Sequence, residues 1–121
     1  MFSPDRIDTG FVDRLLSKCT DHLSLLAAPA TLDRVYDFDV DSFDRIFDIL
    51  RSTVPCIVLD VPHVWTGWSK RLLVSADDIL IVAAPDLANL RNVKNLMDLL
   101  KQARPNDPNA HYCLNQVNVP K

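Results

Sequence analysis

The sequence predicts an α/β fold in one domain over residues 1–121, a mostly parallel sheet flanked by helices. Two observations carry that expectation. Short runs such as Cys56 to Leu59 and Ile79 to Ala84 are apolar at every position, and they alternate with segments whose apolar residues recur at helical spacing. Strands covered on both faces read as continuous apolar runs, whereas a strand wet on one side alternates. Helices alternating with such strands supply the covering layers.

Along the chain, Phe11, Val12, Leu15, Leu16 and Cys19 follow the cap candidates Asp8 and Thr9 and predict an amphipathic helix over 9–19. Leu23 to Ala28, closed by Pro29, suits a buried strand, and residues 29–40 read as loop. Asp41 is a good N-cap for the next helix, in which Phe43, Ile46, Phe47 and Leu50 form one stripe opposite Asp44, Arg45, Asp48 and Arg51. Pro55 ends that connection, and Cys56 to Leu59 reads as a central strand that empties at Asp60, Val61 and Pro62.

Thr66 caps a short helix carrying Trp65, Trp68, Leu72 and Leu73, with at least one tryptophan expected to anchor it in the core. Ile79 to Ala84 is the third strand. Asp86 caps a long helix whose inner stripe is Leu90, Val93, Met97 and Leu100 and which Pro105 closes. Residues 103–110 are a turn too short for an interdomain linker, and His111 to Asn115 is the fourth strand.

Composition narrows the chemistry. The chain carries 13 Lys+Arg against 16 Asp+Glu, a net charge of −3 that argues against sequence-independent nucleic-acid binding. Every acidic residue is aspartate, which excludes HExxH zinc sites, an EF-hand closed by glutamate and two-glutamate glycosidase sites. The three cysteines, Cys19, Cys56 and Cys113, form no CxxC pair and suit a reducing, cytoplasmic setting. Cys56 and Cys113, inside strand runs, are expected to behave as small, inert hydrophobes. No apolar run approaches the ~20 residues of a membrane helix, and no basic-then-apolar leader opens the chain. Neither membrane insertion nor export is expected.

Ligands of open parallel sheets bind beyond the carboxyl ends of the strands. The residues there are Pro29, Asp60 and Pro62, Pro85 and Asp86, and Asn115 and Gln116. Asp60 is the most informative, because a buried lone carboxylate needs a hydrated magnesium ion, a basic partner or backbone donors. Asn115 offers an acceptor and two donors, which suits either a nucleobase edge or a turn. His63, three residues past Asp60, suits either an acid, base or ligand or, more commonly, a loop histidine packed against Trp65. Cys19 and His22 lack the further ligands of a zinc site, no GxSxG elbow exists for acyl transfer, and no metal ligands are expected.

The run Cys56-Ile57-Val58-Leu59-Asp60-Val61-Pro62 resembles the Walker B strand and the start of switch II of ParA/MinD-type P-loop ATPases. Ala76 to Val82 with its Pro85-Asp86 exit, Leu87 to Leu96 and Leu114-Asn115-Gln116-Val117 continue that likeness. Ala27-Ala28-Pro29-Ala30-Thr31-Leu32-Asp33-Arg34 and Pro62-His63-Val64-Trp65-Thr66 are similar to the CpaE branch, the ATPase-like proteins of Flp/Tad pilus assembly. Nearly the whole chain takes part in the resemblance.

The resemblance implies an incomplete ParA/MinD-like domain, ATP and magnesium as cofactors, a magnesium-related catalytic role for Asp60, and Pro62, Pro85, Asp86, Asn115 and Gln116 around the nucleotide. It implies as partners the proteins of pilus assembly, reached in the cytoplasm or by recruitment to the inner membrane or cell pole. One element departs from it. The family's GKGG-like loop is missing, since the only glycines are Gly10 and Gly67. That loop supplies the donors that hold the phosphates. The chain therefore reads as the part of an ATPase domain that follows switch I, binding no ATP by itself. Strands left without their neighbour predict self-association or marginal stability.

Two other classes remain open. A non-enzymatic interaction module would use the Trp65/Trp68 region and the long helix to bind a partner without nucleotide. A receiver-like domain phosphorylated on Asp60 would need an acidic pair after its first strand and a lysine after its last, and the fourth strand ends in Asn115-Gln116 instead.

Overall fold

A computed structural model describes residues 4–26, 40–107 and 110–120. Among them are four α-helices and two small sheets, one antiparallel and one parallel, so the chain is α/β. Contacts cluster into two compact units, Met1–Trp68 and Ser69–Lys121.

In the first unit a short 3-10 turn, Pro4–Arg6, leads to α1, Thr9–Leu15. The N-cap of α1 is Asp8, whose carboxylate accepts the Phe11 N–H at 2.8 Å and so satisfies one of the helix's orphan donors. The helix stops sooner than its apolar spacing predicts. Leu16 is already extended, and Ser17–Thr20 forms β1, paired antiparallel with β2, Leu23–Leu25. Asp21 and His22 make the turn, and the Thr20 hydroxyl accepts the His22 N–H at 3.2 Å. The hairpin gives the Ser17–Thr20 backbone a ladder, which outweighs the one further turn of helix that Leu16 and Cys19 would have extended.

The expected buried strand at Leu23 to Ala28 is corrected accordingly. Its described part is a short, wholly exposed hairpin arm, while Ala27 and Ala28 lie outside the described residues, as does the expected loop up to residue 39.

Helix α2, Val40–Thr53, begins one residue before the expected cap, so Asp41 lies in its first turn, where the helix dipole favours a negative charge. Its inner face carries Phe47, Ile49 and Leu50, buried together with Ile7 and Val12 as the first unit's core. The 3-10 turn and α1 pack on α2, and the Arg45 Nε donates to the Ile7 carbonyl at 3.3 Å. Phe43 stacks on Phe47 with ring centroids 5.8 Å apart, and on the half-buried Trp68 at 5.4 Å. At the carboxyl end the Ser52 and Thr53 hydroxyls donate back to the Ile49 carbonyl, and Pro55 prevents continuation.

Cys56 to Leu59, expected as a central strand, forms none. Among the described residues it has no ladder partner, and Val58 is 90% exposed. The apolar, β-branched composition favours an extended backbone, but a strand also needs a neighbour to take its N–H and C=O groups. Among the described residues no neighbouring strand takes them.

The second unit holds most of α3, Gly67–Ser75, followed by β3, Leu80–Ala83, α4, Leu87–Ala103, and β4, His111–Leu114. Strands β3 and β4 pair in parallel with Ile81 opposite Tyr112 and Ala83 opposite Leu114. The ladder extends on both sides through His111 N–H to the Ile79 carbonyl and Asn115 N–H to the Ala83 carbonyl, each 2.8 Å. Helix α4 packs against β3, and Ile81 and Leu100 are buried.

A sheet covered on both faces is not what forms. Leu80 and Val82, on the opposite side of β3 from Ile81, are 63% and 57% exposed, and every residue of β4 is exposed. Two strands present too little surface to enclose a double-sided core. Cys113 is consequently exposed although it lies in β4, and Cys56, which lies in no strand, is exposed too, so neither is sheltered as expected. On α4 the expected inner stripe is deep only at its carboxyl end. Leu100 is buried and Val93 and Met97 are half-buried, whereas Leu90 is exposed.

That end of α4 is held by Arg104. Its guanidinium donates to the Leu73 carbonyl at 2.8 Å and pairs with Asp107, while its own N–H closes the helix on the Leu100 carbonyl at 2.7 Å. On the solvent side of α4, Lys94 and Asp98 form an i,i+4 pair at 2.8 Å. Hydrogen bonding and charge attraction from Lys94 hold the Asp98 carboxyl below its ordinary value, and Asp98 raises Lys94 in the same way. Both groups are fully ionised across the neutral range, so this surface pair adds no pH dependence there.

Two substitutions test these cores. Phe47→Ala should cost about 3 to 5 kcal/mol in urea unfolding, from lost burial, the cavity left behind and the broken stack on Phe43. Arg104→Ala should cost about 1 to 3 kcal/mol by orphaning the Leu73 carbonyl and the Asp107 carboxylate. Arg104→Lys should recover only part of this, because an ammonium cannot reproduce the two-point geometry. An Arg104→Ala variant as stable as the parent would show that α4 is held to α3 by apolar contacts alone.

Candidate functional site

Of the seven strand-end residues expected at a ligand site, Pro29 lies outside the described residues and four come together in the second unit. Pro85 and Asp86 leave β3, and Asn115 and Gln116 leave β4, at adjacent carboxyl ends of the parallel pair. The connection is local: once β3 and β4 pair in register, their exits must be neighbours.

Asp86 is the N-cap of α4, with extended backbone at φ −136° and ψ 165°. One carboxylate oxygen accepts the Asn89 N–H and the other accepts the Asn89 side-chain amide, each at 2.8 Å. The carboxylate thus offsets the positive end of the helix with its own charge. An anion arriving at this helix start would meet a negative group already in place. This is the opposite of a phosphate cradle, in which free N–H groups face the ligand.

Across from it, Asn115 turns its side-chain carbonyl onto the Gln116 N–H at 3.0 Å. Gln116 adopts the left-handed region at φ 59°, uncommon for a residue with a side chain, and accepts the Val119 N–H at 3.4 Å. One of the two acceptor positions of the Asn115 carbonyl is therefore taken by the turn.

Between the β3–β4 pair and the first half of α4 lies an open groove of about 430 Å³, lined by Ile81, Ala83, Pro85, Leu87, Leu90 and Tyr112 among others but not by Asn115 or Gln116. Its walls are apolar apart from the backbone, the Tyr112 hydroxyl and Asp86. It offers a surface for a flat or aliphatic group and no cation for a phosphate. Leu90 is expected from the sequence only as part of a buried stripe, and the sequence expectations include neither Tyr112 nor Leu87 as lining a site. The i,i+3 pair Leu87 and Leu90 immediately after the Asp86 cap was the available signal, since residues so spaced share one helix face.

Asp60 and Pro62 belong to the first unit. Both are exposed, with the Pro62 carbonyl accepting the Val64 N–H at 2.8 Å. Exposure removes the argument that drew attention to Asp60, because a hydrated carboxylate carries no desolvation cost that a cation must offset. His63 and Trp65 are exposed too, while Trp68 provides the expected aromatic anchor through Phe43. Cys19 and His22 sit exposed on the hairpin. Among the described residues no group of three or more His, Cys or Asp side chains is gathered to hold a metal ion, and no helix is long and apolar enough to cross a membrane.

In comparisons with known proteins, no family model, no curated protein and no solved structure matches the chain.

Removing the cap separates its structural part from any other. Asp86→Ala should destabilise by about 1 kcal/mol, and Asp86→Asn, which keeps the acceptor, by no more than a few tenths. Asp60→Ala should change stability by less than about 0.5 kcal/mol, as for other exposed positions without partners. Chemical denaturation of the three variants beside the parent measures both expectations, and a loss of several kcal/mol at Asp60 would mean that its carboxylate holds structure.

Proposed function

We propose that the chain is part of a CpaE-like ATPase of pilus assembly or localisation, of the ParA/MinD type, and that it does not hydrolyse ATP by itself. The observation that supports this reading is the order of its segments. An apolar run ending in Asp60-Val61-Pro62 is followed by a strand exiting through Pro85-Asp86 and by a parallel strand ending in Asn115-Gln116. The β3–α4–β4 arrangement agrees with the helix-covered parallel pair that the family resemblance implies for these segments. In that reading Asp60 serves magnesium chemistry and Asn115 faces the base only when a phosphate-binding loop is supplied.

The residues present do not fit ATP on their own. No glycine-rich loop exists in the sequence, and the start of α4 is already capped by Asp86. Hence no catalytic step is assigned to this chain. Cytoplasmic action with other pilus-assembly proteins, or with further copies of itself, belongs to the same proposal.

A second reading, a nucleotide-independent interaction module, is favoured by one feature. Leu87 and Leu90 project from α4 with 84% and 65% of their surface exposed. Apolar surface of that kind more often marks a contact than a reaction.

The two are separated by the coding sequence around this chain, and one titration tests the absence of ATP binding that both expect. A continuous upstream frame carrying a GKGG-like segment supports the ATPase reading, and its absence favours the module. Titrating the chain with a fluorescent ATP analogue, with and without magnesium, alongside sedimentation equilibrium, should give no saturable binding and a dimer or larger species. A well-folded monomer that binds the nucleotide tightly in the presence of magnesium would overturn the proposal.

A further inference from the structure

We draw no further inference here: the strongest candidate, the apolar groove between the β3–β4 pair and the exposed Leu87 and Leu90 of α4, is an unpartnered face, and nothing in the structure shows what covers it.

Discussion

The second unit depends on a geometric constraint: two parallel strands cannot be joined by a tight turn. The chain leaving β3 at Ala83 must return to the other end of the pair before β4 can start at His111, and α4 is the element that makes the return. Everything of interest in this unit follows from that. The cap at Asp86 starts the return, the Arg104 contacts with Leu73 and Asp107 end it, and the helix lies over the strand face carrying Ile81. Because the crossover forces both strand exits to one edge, Pro85, Asp86, Asn115 and Gln116 become neighbours without any of them making the arrangement.

Helices were legible in the sequence because their signals are local. The Phe43, Ile46, Phe47 and Leu50 spacing, and the Asp86 carboxylate followed by a periodic stretch, each specify a helix from within a few residues, and α2 and α4 form there. The strands Leu80–Ala83 and His111–Leu114 were found within a residue or two for a different reason: each has the other to pair with. Cys56 to Leu59 has the same kind of composition and, among the described residues, no ladder, since composition records a preference for extended backbone and says nothing of whether a partner exists. The hairpin at Ser17–Leu25 shows the converse case, where pairing across a two-residue turn displaced a helical pattern that was present in the side chains.

The candidate site was legible in position and less so in chemistry. Pro85, Asp86, Asn115 and Gln116 do follow paired strands, because the rule for open parallel sheets concerns topology, whereas Asp60 and Pro62 follow a run that forms no strand. What each side chain does there depends on hydrogen bonds one to three residues away: both oxygens of Asp86 accept from Asn89, and the carbonyl of Asn115 accepts from Gln116. Asp60 was singled out on the supposition that it is buried, and exposure is a tertiary property that a four-residue apolar run does not determine.

The bare segment from Cys56 to Leu59 has a consequence for the handling of the protein. Four uncharged, apolar residues, with Ile57 half-buried and Cys56, Val58 and Leu59 exposed, are the kind of stretch from which cross-β assemblies grow. Here the stretch is fenced. Pro55 withholds a backbone donor at one border, and Asp60 and Pro62 place a charge and a second missing donor at the other. Breakers of this kind act as gatekeepers, confining a sticky window to a length too short to stack into a steric zipper. The residues that mark the ends of an apolar run thus also protect the chain against fibril growth, whatever ligand or partner the run serves.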